Sequence, residues 1–190
     1  MTSPTRSSET LHDAALELIA ESGLGALTIG GVAERAGVSR ATAYREFGDK
    51  DGLIAAIGRG EVVKMITAAY TELDLFAPPG RIVHAVTLFA LGYLRGHAAF
   101  GYIRNHEPDW LINVAIAHGR SELNLVETVA ALAAPLIAAR ADAVLALTPV
   151  QAAEVVVRIV LSHVLLAHSN LTDEQVADTA TRAVVLAVQE

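Results

Sequence analysis

The chain has 190 residues, of which 53% are hydrophobic, 5% aromatic and 18% charged, which excludes a disordered chain and leaves room for one compact domain, or a small domain fused to a medium one. Ala, Leu and Val make up much of the apolar bulk and strand-like runs are confined to one late segment, so an all-α fold is predicted. The absence of cysteine removes disulfides, thiolate metal ligands and cysteine nucleophiles, and a formal charge of −7 restricts any nucleic-acid contact to a local patch.

Residues 1–8 are polar and lack the apolar segment of a secretory signal. The most apolar later runs, 129–139 and 155–167, are shorter than about 20 residues or carry Arg158, too little for a membrane span. A cytoplasmic protein with no membrane partner is expected.

In chain order, Leu11, Ala14, Ala15, Leu18 and Ile19 recur at helical spacing opposite Asp13, Glu17 and Glu21, so 8–22 reads as an amphipathic helix stopped by Gly23 and Gly25. Thr28 can cap a short helix running to Ala36, despite Gly30 and Gly31 in its first turn. Gly37 supplies a residue able to take positive φ, and Ser39 is a natural cap for a third helix, 40–46. Asp49 caps a longer fourth helix with a broken apolar stripe, which Gly58 and Gly60 can bend. Pro78 and Pro79 break the chain, and a helix restarts towards Gly96. Another break falls at 105–109, with Pro108 suited to the first turn of a helix through Trp110 that Gly119 and Pro135 can interrupt or bend. Thr148 with Pro149 and Gln151, and Thr172 with Gln175, form capping boxes that open two closing helices.

Two short helices joined by a Gly-containing turn, the second exposing Arg40, Thr42, Tyr44 and Arg45, fit a helix-turn-helix. Such a second helix lies in the DNA major groove with its first residues at base edges, while flanking basic groups hold phosphates. Between Thr28 and Lys50, Arg35, Arg40, Arg45 and Lys50 outnumber Glu34, Glu46 and Asp49 by one. The patch is modest, and the same helix pair also occurs as a plain packing unit.

Thr28, Val32, Ala33, the run Ala36-Gly37-Val38-Ser39, Thr42, Tyr44, Phe47, Lys50 and Leu53 resemble the amino-terminal signature of TetR-family regulators over residues 11–57. The resemblance implies a helix-turn-helix three-helix domain, 1–48, followed by a helical effector-binding and dimerisation domain, 49–190. It makes Thr28, Ser39, Arg40, Ala41, Thr42, Tyr44, Arg45 and Lys50 the DNA-binding candidates, with Thr28 and Ser39 as caps, 40–42 at bases or phosphates, and Tyr44 and Lys50 on phosphates. Ala43 is smaller than the family's usual apolar residue there, and Glu46 stands where His or Tyr often meets the backbone. A carboxylate would repel phosphate, so Glu46 is expected to pair with Arg45 or Lys50, or to turn away.

From Thr148 to His168 the polar residues occupy a narrow stripe, Gln151, Glu154, Arg158 and Ser162, so the helix needs burial on two sides. A dimeric four-helix bundle follows, with Val157, Leu161, Val164, Ala180 and Val184 as interface candidates; a central helix buried in a monomer is the alternative. Phe89, Tyr93, His97 and Phe100 fall at one-face helical spacing, and Trp110 and Asn113 lie one turn apart, so these six are the candidate effector contacts, ordinary core being the alternative. Six histidines lie beyond the motif without metal-ligand spacing, and no nucleophile elbow or phosphate loop occurs. No metal, cofactor or catalytic residue is expected. The sequence reads as a dimeric, effector-released repressor that binds double-stranded DNA; the rival is a non-catalytic small-molecule binding or protein-interaction module with a structural helix-turn-helix.

Overall fold

The computed structural model describes residues 6–74, 76–111, 129, 131, 145–166 and 168–186. They are all-α, with eight named helices and no strand among the described residues. Helices α1 (Arg6–Ala26), α2 (Ile29–Arg35), α3 (Arg40–Phe47), α4 (Lys50–Glu72), α5 (Pro79–Gly96), α6 (Ala98–His106), α7 (Pro149–Leu165) and α8 (Asp173–Val184) follow in that order. Two compact units result, one from the described residues within Met1–Glu61 and His97–Asn124, the other from those within Val62–Gly96 and Leu125–Glu190.

In the first unit α1 packs on α2 and α6, and α2 on α3. Leu11, Ala15 and Ile19 of α1, Val32 and Ala33 of α2, Ala43 of α3 and Leu53 of α4 are all buried in its core. α1 bears a kink at Gly23, whose φ of 76° departs from the helix, as expected of a residue that enters the left-handed region without a Cβ penalty. α4 continues through Gly58 and Gly60, so neither breaks it. A Cβ on Gly60 would fall 2.5 Å from His12 Nε2, so this glycine admits a neighbouring imidazole.

In the second unit α8 packs on α5 and α7, and α5 on α7. Val83, Ala152 and Val184 form a buried cluster joined by Val155, Val156 and Leu145. Both predicted capping boxes form. Thr148 Oγ1 accepts from Gln151 N at 3.4 Å while Gln151 Oε1 accepts from Thr148 N at 3.1 Å, and Thr172 and Gln175 repeat the exchange at 3.2 and 2.9 Å. α7 ends at Leu165, three residues before the expected His168. The expected breaks at Gly119 and Pro135 lie outside the described residues.

Candidate nucleic-acid interface

The frame of the helix-turn-helix is built by caps. Thr28 Oγ1 accepts from Gly31 N at 3.0 Å to start α2, and Ser39 Oγ accepts from Thr42 N at 3.1 Å to start α3. Each bond satisfies a donor that the helix itself leaves orphaned. Between the helices Gly37 takes φ 67°, which lets Val38 N reach Ala33 O at 3.0 Å and close the end of α2. Gly48 repeats the left-handed conformation after α3 with φ 74°. Asp49 Oδ1 then accepts from Gly52 N at 2.8 Å. Thus only two residues, Gly48 and Asp49, separate α3 from α4.

On this frame Arg40, Ala41, Tyr44 and Arg45 are exposed and Thr42 is half-buried; Tyr44 keeps 55% of its surface. Arg40 lies over α2, where a Cβ on Gly30 would meet its Nε at 3.5 Å. Ala43, the small residue at a position where bulk was expected, is fully buried between the helices. The face offered to solvent is therefore a short capped helix carrying two guanidinium groups, a hydroxyl and a phenol. Those are groups suited to base edges and phosphates.

The four cations counted in the sequence do not all face outward freely. Arg35 donates to Glu21 at 2.8 and 2.9 Å and to Glu17 at 3.1 Å, tying α2 to α1. The hydrogen bonds from Glu21 first, then Glu17, raise the Arg35 pKa, and the Arg35 hydrogen bond lowers that of Glu21. Arg35 is thus neutralised within the protein. Lys50 is half-buried and its ammonium donates to Gly25 O at 3.0 Å. Glu46 pairs with neither Arg45 nor Lys50; its Oε1 accepts from Ser8 Oγ at 2.9 Å. The carboxylate is held by α1.

The effector candidates are placed differently from their sequence pattern. Phe89 and Tyr93 lie on α5 with ring centroids 5.9 Å apart, but α5 ends at Gly96 and His97 is the extended N-cap of α6. Phe89, Tyr93, His97 and Phe100 therefore do not share one helix face. The reason is the cap: His97 Nδ1 accepts from Phe100 N at 3.1 Å, which starts a new helix and leaves Nε2–H to donate to Glu61 Oε2 at 2.6 Å. Phe89 and Tyr93 belong to the second unit, His97, Phe100 and Trp110 to the first. Asn113 lies outside the described residues.

Of the interface candidates, Val164 is 2% exposed and Ala180 and Val184 are fully buried, so those three have no surface to offer a second chain. Their burial follows from α8 packing its small residues onto α5 and α7. Val157 and Leu161 remain half-exposed on α7. The outer side of α8 is charged instead. His84 of α5 pairs with Glu174 at 3.1 Å and Asp178 at 3.4 Å, while Asp173 pairs with Arg95 and, at 3.3 Å, with His163. The Arg95 hydrogen bond, more than His163, holds the Asp173 carboxyl below the usual range. No three His, Asp or Glu side chains gather to hold a metal among the described residues. Among those residues no helix is long and apolar enough to cross a membrane.

Two short capped helices joined by a left-handed glycine and packed with α1 have the geometry of a helix-turn-helix DNA-binding domain. Residues 11–57 match the sequence model of the bacterial regulatory proteins, tetR family. Among solved structures the chain is similar to the R. erythropolis transcriptional repressor QsdR from the TetR family, with 19% identity over 96% of each chain and a TM-score of 0.66. It is similar also to the TetR-family repressor AlkX from Dietzia sp. strain DQ12-45-1b, implicated in biodegradation of n-alkanes, with 25% identity over 90% of this chain and 92% of that one and a TM-score of 0.67. A third likeness is to the multidrug binding protein EbrR complexed with imidazole, at 17% identity over 95% and 91% with a TM-score of 0.68. No curated protein matches the sequence. Residues 11–57 thus match the amino-terminal domain of the tetR family, and the chain shares the fold of the TetR-family structures to which it is similar.

Proposed function

We infer that the protein is a ligand-responsive repressor: a cytoplasmic homodimer, without catalysis, that leaves a palindromic DNA operator when a small, largely apolar effector binds. Residues 1–48 bind DNA and 49–190 bind the effector and the second copy. The observation that carries this reading is α3, capped at Ser39 and exposing Arg40, Tyr44 and Arg45 together. Thr28 and Ser39 set the helix axes, Arg40, Ala41 and Thr42 face bases or phosphates, and Tyr44 and Arg45 meet phosphates. Lys50 keeps two of its three ammonium protons for another phosphate after donating one to Gly25 O. Val157 and Leu161 supply the dimer contact from α7.

Effector contacts are proposed at Phe89 and Tyr93 on α5, whose ring centroids lie 5.9 Å apart. Arg95 is already paired with Asp173, so it does not favour a polyanionic ligand. An effector that prefers one placement of α4 over another changes the separation of the two recognition helices. About 2.7 kcal/mol of such preference lowers operator affinity a hundredfold. Trp110, the one tryptophan in the sequence, reports effector binding by fluorescence.

Selection of bound sequences from random duplex DNA tests the reading. A palindrome with half-sites about 34 Å apart and salt-dependent affinity is the expected result. No enriched sequence would favour a small-molecule binding or interaction module whose helix-turn-helix only packs.

A further inference from the structure

The last turn of α1, just after its kink at Gly23, is gripped by two side chains distant from it in sequence. Glu107, the C-cap residue of α6, is half-buried, and its Oε2 and Oε1 accept the N–H groups of Leu24 and Gly25, each at 2.9 Å. The carbonyl of the same Gly25 accepts from the Lys50 ammonium at 3.0 Å. One residue therefore carries a carboxylate on its nitrogen and an ammonium on its oxygen. Bonds of this charge-assisted kind are roughly twice as strong as neutral ones. The backbone is shaped for the approach: a Cβ on Gly23 would sit 2.6 Å from Glu107 Oε1 and 2.7 Å from the Tyr102 ring, at a φ of +76° that other residues rarely adopt.

We propose that Glu107 is a positioning residue for DNA binding: through Gly25 it fixes the carbonyl that orients the Lys50 ammonium towards a backbone phosphate. The inference rests on the DNA-binding reading and on Lys50 as a phosphate ligand. It gives a residue outside the helix-turn-helix a defined task within it. A tie that only stabilised the fold would alter melting and leave the number of engaged phosphates unchanged.

The test is a salt titration of full-length protein on the duplex recovered by selection, for wild type, Glu107→Gln, Lys50→Ala and the double variant. Lys50→Ala is expected to lower the log–log salt slope by about one. Glu107→Gln, nearly the same shape, is expected to lower it in the same direction by a similar amount and to weaken binding about threefold to tenfold. The double variant should lose no more slope than Lys50→Ala alone, since both changes remove one contact. Glu107→Asp keeps the charge and shortens the reach, and should lose part of the slope in a second background. A wild type that binds while Glu107→Gln and Glu107→Asp keep the full slope, or losses that add in the double variant, overturns the inference alone. A wild type with no sequence-selective binding overturns the DNA-binding reading and this inference with it.

Discussion

The helix-turn-helix and the α5, α7 and α8 packing are both wholly helical, yet they obtain their order from different sources. α2 and α3 have 7 and 8 residues, too few to hold a helix by propensity, and their directions come from Thr28, Ser39 and the left-handed Gly37 and Gly48. α5 and α7 have 18 and 17 residues and are ordered mainly by burying aliphatic side chains. Caps specify an angle between elements, whereas aliphatic packing specifies volume and accepts substitutions that conserve it. On the proposed function, a surface that must meet a regular duplex is served by the first, and a region that accommodates an apolar effector by the second.

The largest test of this contrast compares Leu53→Ala with Leu91→Ala. Both side chains are fully buried, so each truncation should cost about 2–5 kcal/mol in urea unfolding. Operator affinity, measured where both variants stay folded, should fall for Leu53→Ala and survive in Leu91→Ala; equal losses would erase the distinction. Next, Leu161→Glu, on the half-exposed flank of α7, is expected to weaken dimer association about a hundredfold by placing a charge in an apolar contact. Sedimentation showing an intact dimer would move the interface away from α7.

Smaller effects separate specification from support. Arg40→Ala should change base preference at one operator position by about 1–3 kcal/mol, while Tyr44→Phe weakens all related sequences alike; competition against a panel of duplexes reads both. Ser39→Ala and Thr172→Ala each remove an N-cap and should cost about 1 kcal/mol of stability. Only the first should also reduce operator affinity, because the proposed DNA contact is made by α3 and not by α8.

The smallest effect is electrostatic. Glu21 and Asp173 have depressed pKa values in the folded chain, caused first by the hydrogen bonds from Arg35 and Arg95 respectively. Their stabilisation is therefore present above the ordinary carboxylate range and is lost as pH falls through the folded-state values. Urea midpoints should decline as pH falls through and below the ordinary carboxylate range, less steeply in Arg35→Ala. Both pairs are accessible, so added salt should weaken them.

Local chemistry explains what the sequence revealed. Thr28, Ser39, Thr148 and Thr172 announce helix starts because each bonds a backbone N–H three positions onward, and a cap needs no distant partner. The helix that His97 caps gives no common start signal, because histidine is an uncommon cap and the apolar spacing runs on through Phe100. Val164, Ala180 and Val184 looked like interface residues because periodicity shows that a face is apolar without naming what covers it. Glu107 gave no local sign: Leu24 and Gly25 lie 83 and 82 residues away. Gly23 signalled an unusual backbone but could not name the carboxylate beside it. Likewise Arg35 counted as a free cation until Glu17 and Glu21 of another helix met it.

No side-chain hydrogen bond or ion pair ties Arg40, Tyr44 or Arg45 to another described residue, although all three project from a helix fixed at both ends. Stability and sequence preference consequently reside in separate atoms. Exchanging these side chains should shift folding by only about 0.5 kcal/mol, so the helix can acquire a new DNA target one substitution at a time without passing through an unfolded intermediate genotype. Ser39 and Ala43, in the same helix turn and its core, have no such freedom.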